Sequence, residues 1–177
     1  DKALAELYSF ISEDFLIDKV AKDTDFTPLH NHSGWKKFLL KADSIEAAHN
    51  LPLKKELLTM QDEDQSIRLL VIEAEKKYGV QSEMVNKLRK RMKAIDRKNV
   101  ERVEEIIEEY GWPGKDALGE DGDLSMFLII QHIDDEIVKQ KYLPLLKKAA
   151  DNKKTEPWHF AFLTDRILMN QGKQQIY

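Results

Sequence analysis

Cysteine is absent from the chain. That removes disulfides, thiolate catalysis and cysteine-ligated zinc together, and it leaves the compartment open, because exported proteins without cysteine are common. Glycine is scarce, with 7 residues in 177, and no glycine-rich phosphate loop points to a nucleotide. No apolar run approaches the roughly 20 residues that a bilayer demands. Positive charge is not in excess: 28 Lys and Arg face 32 Asp and Glu, a formal charge of −4, against the basic balance of a dedicated nucleic-acid binder. Strand-like alternation is also rare.

What remains is 42% hydrophobic and 34% charged residues, the composition of a soluble globular protein rather than a disordered or membrane-spanning one. At this length folding buries roughly 70% of the unfolded chain's surface, enough for a core in one domain or one domain plus an appendage. The chain opens on Asp1 instead of Met, as an excerpt or a processed chain would, so a signal peptide is not excluded.

Apolar residues recur at steps of three and four over Leu4 to Ile17, Trp35 to Ala48, Leu53 to Tyr78, Met84 to Tyr110, Leu124 to Ile133, Ile137 to Ala150 and Trp158 to Met169. This is the period of amphipathic helices and predicts an all-α protein. Gly79, Gly111 and Gly172 are placed to end helices. Gly122 or Asp123 can open the helix of "LSMFLIIQH", Pro157 starts the last one, and Pro144 falls inside a pattern and is expected to kink it. Asp96 is a candidate cap that would divide the 82–110 stretch, unless one long helix runs through. In "GWPG", Pro113 forbids continuation and leaves Trp112 free to pack over a pocket.

The stretch "DTDFTPLHNHSGWKKFL", with Phe26, Leu29 and Trp35 as anchors, resembles the short closing segment after the last helix pair of tetratricopeptide-like arrays. The resemblance implies a helical repeat-like segment over 1–49, followed by a bundle-like all-α domain over 50–177. His30 and His32 in this polar loop invite a metal, but no further ligand lies nearby, which favours solvent-exposed histidines.

Within the larger part, several apolar stripes are interrupted by polar residues. Asp64 lies in the middle of Leu53, Leu57, Met60, Ile67, Val71 and Tyr78, and Arg68 follows it at i+4. Asn99 breaks the stripe of Val85, Leu88, Met92, Val103, Ile107 and Tyr110. Gln131 falls between Leu124, Phe127 and Leu128, with His132 on the adjoining side, and Arg166 accompanies Asp165 on a face assigned to Phe162, Leu163 and Met169. An unpaired buried amide costs about 1–3 kcal/mol and an unpaired charge far more, so these groups are expected to satisfy one another. They form either a network that sets helix register or the lining of a pocket between facing helices.

"LPLKKELLTMQDEDQSIR", "DRKNVERVEEIIEEYGWPG", "LIIQHID", "QKYLPLLKKA" and "LTDRILMNQGKQQIY" resemble, in order, a bacterial domain family of unknown function. Its pattern runs DQ-x-x-R, then N with GWP, then QHAD, then Q with YLPLL, then DR and GKPQ-x-YGTQ. The resemblance covers about residues 51–177 and carries over Asp64, Gln65, Arg68, Asn99, Trp112, Gln131, His132, Asp134, Gln140, Asp165, Arg166, Gln175 and Tyr177. Ile133 and Gln174 depart from its Ala and Pro, and the chain stops at Tyr177, before the Gly-Thr-Gln. Frequent export among its members leans the chain towards an exported bacterial protein. The resemblance implies a site but transfers no activity.

The chemistry can be narrowed from the residues. Ser125 and His132 share a face, but seven residues of helix set them about 10.5 Å apart along the axis, too far for a nucleophile and its base. His132 can serve as a general base oriented by Asp64, Asp134 or Asp165, or as a core histidine satisfied by the same carboxylate. A metal at His132 with Asp135 or Glu136 lacks the repeated Glu-x-x-His of di-metal bundles, and "GEDGD" lacks the spacing of a calcium loop. No cofactor or metal is implied. The basic run "KLRKRMKAIDRK" is followed by "ERVEEIIEE" and reads as a solvated helix face. The expected catalytic residues are therefore His132, Asp64 and Asp165, and the expected ligand-binding residues are Gln65, Arg68, Asn99, Trp112, Gln131, Asp134, Arg166, Gln175 and Tyr177. Two functions fit: a module that binds a small polar or anionic ligand or a peptide end, its repeat-like start serving a protein partner, or a hydrolase-like enzyme with His132 as base and the arginines as charge stabilisers.

Overall fold

A computed structural model of the chain describes residues 2–11, 20–21, 23–47 and 49–177. Helices α1 (Lys2–Ile11) and α2 (Ser33–Glu46) flank a 3-10 turn at Thr24–Leu29, and five further helices follow: α3 (Leu51–Tyr78), α4 (Glu83–Tyr110), α5 (Gly114–His132), α6 (Glu136–Asp151) and α7 (Pro157–Asn170). The described residues hold no strand, and the protein is all-α. None of their helices is long and apolar enough to cross a membrane. The expected end of the first helix at Ile17, and Ala48 at the end of the second, lie outside the described residues.

Two apolar clusters form. Leu4, Leu7, Val20, Trp35, Phe38 and Ala42 make the smaller one, with Trp35 stacked on Phe26 and Phe38. His30 is half-buried with its ring 4.7 Å from that of Trp35, contrary to the expected exposure, while exposed His32 accepts from Gly34 N. The larger cluster gathers Leu57, Ile106, Leu118, Phe127, Ile130, Tyr142, Leu146 and Leu163 from each of α3 to α7. Burying each such side chain contributes about 1.5–3 kcal/mol. Helix α3 packs along both α4 and α5, and α6 along α7; the second half of α5, from Leu124 to Ile130, is buried or half-buried throughout.

Helix ends follow local chemistry. Asn50, Ser82 and Asp135 accept the first free amides of α3, α4 and α6 through their side chains, as N-caps do. Gly79 and Gly111 end α3 and α4 at φ of 84° and 69°. Helix α4 runs unbroken through Asp96, the single long helix of the two alternatives. Within α5, Gly119 has a non-helical φ of 68° and ψ of 171°, so the helix of "LSMFLIIQH" opens just after it, close to the expected Gly122 or Asp123. Helix α6 carries Pro144 in its interior. Some assigned faces change. Tyr78, Tyr110, Phe162 and Met169 are exposed; Ala74, Ile106 and Ile167 take the inward positions in α3, α4 and α7.

Gly114 combines a φ of 69° with a close approach: a Cβ there would collide with the backbone oxygen of Lys154, which accepts from Lys115 N at 2.7 Å. Gly172 has a similar φ of 68° but open space around it. The Gly172→Ala variant is expected to lose about 1 kcal/mol through backbone strain alone, and Gly114→Ala about 3 kcal/mol through strain plus overlap. Urea unfolding of both variants checks the order; equal losses would mean the Lys154 contact yields freely.

Candidate functional site

Asp64 sits on the inward face of α3 between Met60 and Ile67 and is 1% exposed. Its i+4 neighbour Arg68 grips it with two groups, Nε to Oδ2 at 3.2 Å and Nη2 to Oδ1 at 2.9 Å. The same Nη2 donates to Asp96 Oδ1 of α4 at 2.7 Å and to the carbonyl of His132 at the end of α5 at 3.3 Å. One guanidinium thus ties three helices together, using the fixed fork of donors that lysine lacks. His132 closes the cluster, its Nδ1 lying 2.5 Å from Asp64 Oδ2.

The proton positions follow from what each group can do. Burial alone pushes the Asp64 carboxyl up, but hydrogen bonds from His132 and Arg68 outweigh it and hold the group below the ordinary carboxylate range. Asp64 is therefore charged and can only accept, so His132 Nδ1 carries the proton that joins them. In the neutral ring Nε2 is then a free acceptor; it has no protein partner, and the side chain is 19% exposed. Asp96 behaves oppositely. Burial, reinforced by Asp64 and Asp134, raises its carboxyl against the pull of Arg68, and its Oδ2 is buried without a partner, as is Asn99 Nδ2 one turn along.

The other expected residues are distributed differently. Asp165 is buried, but its carboxylate accepts from Ile176 N at 2.8 Å and Tyr177 N at 3.3 Å, so it anchors the end of the chain. Gln175 and Tyr177 are exposed on that segment. Gln65, Gln131 and Arg166 are half-buried, and exposed Asp134 touches the cluster only through its charge. Gln140 is exposed. Arg68 and Arg166 share no partner. Ser125 Oγ lies 2.5 Å from Gln61 Oε1 and 2.7 Å from the carbonyl of Asp121, and its one proton serves these neighbours, consistent with its separation from His132. Among the described residues no group of three or more His, Cys, Asp or Glu could hold a metal.

Trp112 belongs to a second buried network. Its Nε1 donates to Asp123 Oδ1 at 2.9 Å, Thr155 Oγ1 donates to Asp123 Oδ2 at 2.6 Å, and Thr155 Oγ1 lies 2.7 Å from His159 Nδ1. Sequence reasoning missed Asp96, Lys139, Asp123, Thr155 and His159 as buried polar groups. Two of them carried a usable signal. Asp96 is three residues from Asn99 on a continuous helix, and His159 is four residues before Leu163 on the true inward face of α7.

Residues 51–177 match a family described as "Family of unknown function (DUF6624)". The chain belongs to this family. The family's span opens on the first residue of α3 and includes both buried networks. No curated protein and no solved structure matches the chain.

The depressed pKa of Asp64 has a direct consequence for stability. The folded chain favours the charged form, so the stabilisation is complete above the ordinary carboxylate range and is lost as pH falls through the lower folded value. Asp64→Asn is expected to cost about 3 kcal/mol at pH 7, because it leaves the Arg68 charge short of a buried partner. The gap to the parent should narrow in acid, once the parent's own Asp64 takes up a proton. Urea unfolding at neutral and acidic pH measures this; a gap independent of pH would mean that the Asp64 charge contributes nothing.

Proposed function

We propose that the chain is a hydrolase-like helical protein in which His132, oriented by Asp64, acts as general base on a water or hydroxyl at a small polar substrate. The observation that carries the reading is the pairing of Nδ1 with a buried carboxylate while Nε2 stays reachable from solvent. That is the arrangement in which a carboxylate fixes the tautomer and supports the charge the ring acquires. Arg68 is already shared between two carboxylates, and Asp134 adds a further negative charge close by. The cluster therefore suits a neutral or cationic substrate better than an anionic one. Asp165 takes a supporting part by fastening the segment that carries Gln175 and Tyr177. Helices α1 and α2, with an apolar cluster of their own, make up the repeat-like segment before the domain at residues 50–177 and serve attachment to a protein partner. An exported bacterial setting fits this reading.

A second reading has its own support: Arg68 bonds to α3, α4 and the end of α5 at once, as a clamp that sets helix register would. The two readings separate on His132→Gln, assayed against chromogenic esters and amides with neutral and cationic side groups. General-base catalysis predicts turnover by the parent that falls by about 10²–10⁴ in a variant with unchanged circular dichroism and melting temperature. A variant with undiminished turnover, or one that only loses stability, would sink the catalytic reading.

A further inference from the structure

The second buried network leaves one polar atom without a partner. Trp112 Nε1 can only donate, and Thr155 has a single hydroxyl proton, which goes to Asp123 Oδ2 at 2.6 Å. The Thr155 oxygen then accepts from His159 Nδ1 at 2.7 Å, and Asp123 Oδ2 lies 3.4 Å from the same nitrogen, so the Nδ1 side carries the proton and Nε2 of a neutral ring is a bare acceptor. His159 is 1% exposed and Nε2 has no hydrogen-bond partner. The ring cannot turn to find one. Phe127 stacks on it at 4.2 Å and 5°, and Trp158 meets it edge-on at 4.1 Å.

His159 lines a cleft of about 260 Å³ between the start of α7 and the kinked first half of α5. The other walls are apolar (Leu124 and the 41%-exposed Trp158) or acidic (Asp121 and Glu156). The cation at the cleft, Lys115, is bound to Glu156 at 2.6 Å. The cleft thus offers acceptors, negative charge and an aromatic face. A hydroxyl-rich ligand needs donors as well as acceptors, whereas an ammonium ion needs only acceptors and gains further from an indole.

We propose that this cleft binds a small organic amine, whose ammonium group donates to His159 Nε2 and is balanced by Asp121 while its apolar body lies against Trp158 and Leu124. The site is separate from the Asp64 and His132 cluster and does not depend on what that cluster does.

Benzylamine and its neutral counterpart benzyl alcohol test the proposal on the full chain, read by tryptophan fluorescence and by the His159 ring resonances in NMR. Benzylamine should bind saturably at millimolar concentration and move the His159 resonances, and the fluorescence change should vanish in Trp158→Phe. Asp121→Asn, at the half-buried mouth, should keep the fold and weaken benzylamine roughly threefold, the effect of one partly screened charge. His159→Phe should abolish binding while retaining the ring stack. Benzyl alcohol binding as tightly as benzylamine, binding that leaves the His159 resonances unmoved, or no saturable binding of benzylamine overturns the proposal.

Discussion

A single charged carboxylate, Asp64, stands almost wholly out of water in the middle of the longest apolar stripe of α3. Left alone it would take a proton or unfold its surroundings, since isolated charges in such a medium are intolerable. Every feature of the central site answers that constraint. Arg68 reaches it from one turn along the same helix, His132 arrives from α5, and the remaining donor capacity of Arg68 goes to Asp96 on α4 and to a carbonyl at the end of α5. Three helices meet at this one charge, which protein groups solvate in place of water.

Asp123 repeats the problem 59 residues further along and is solved with different chemistry. Its donors are an indole and a hydroxyl, both neutral, and its histidine is reached through Thr155. The distinction decides what each ring can do. At His132 the carboxylate touches the ring and can support a positive charge formed there, as proton abstraction requires. At His159 a neutral hydroxyl makes the short contact to Nδ1, at 2.7 Å, and the carboxylate lies further off, at 3.4 Å. Neither ring has a protein partner at Nε2; His132 is 19% exposed, and His159 is buried beside an aromatic and acidic cleft.

The polar breaks in the stripes of α3 and α4 were legible because a charge or amide among Leu, Met and Val has no ordinary place there; Asp64 and Asn99 are both buried. The same logic failed on α7. Phe162 and Met169 look like core residues but are exposed, and the inward face carries His159, Leu163 and Ile167. A short helix with large apolar residues on several sides has no unique phase until something packs on it. Acids favour helix starts, which makes Asp96 a cap candidate on sequence grounds, and only the unbroken α4 shows it to be the second acceptor of Arg68. Thr155 could not be singled out, since its role exists only beside Asp123, 32 residues away.

By itself the sequence determined the all-α class, the helix ends at Gly79 and Gly111 and the pairing of Asp64 with Arg68, all consequences of local periodicity and short spacing along one chain. The tertiary structure alone decided that His132 meets Asp64 across 68 positions, that Arg166 does not join Arg68, and that His159 faces a cleft. Those outcomes depend on how far each helix is rotated and displaced against its neighbours, which no repeat within a helix encodes.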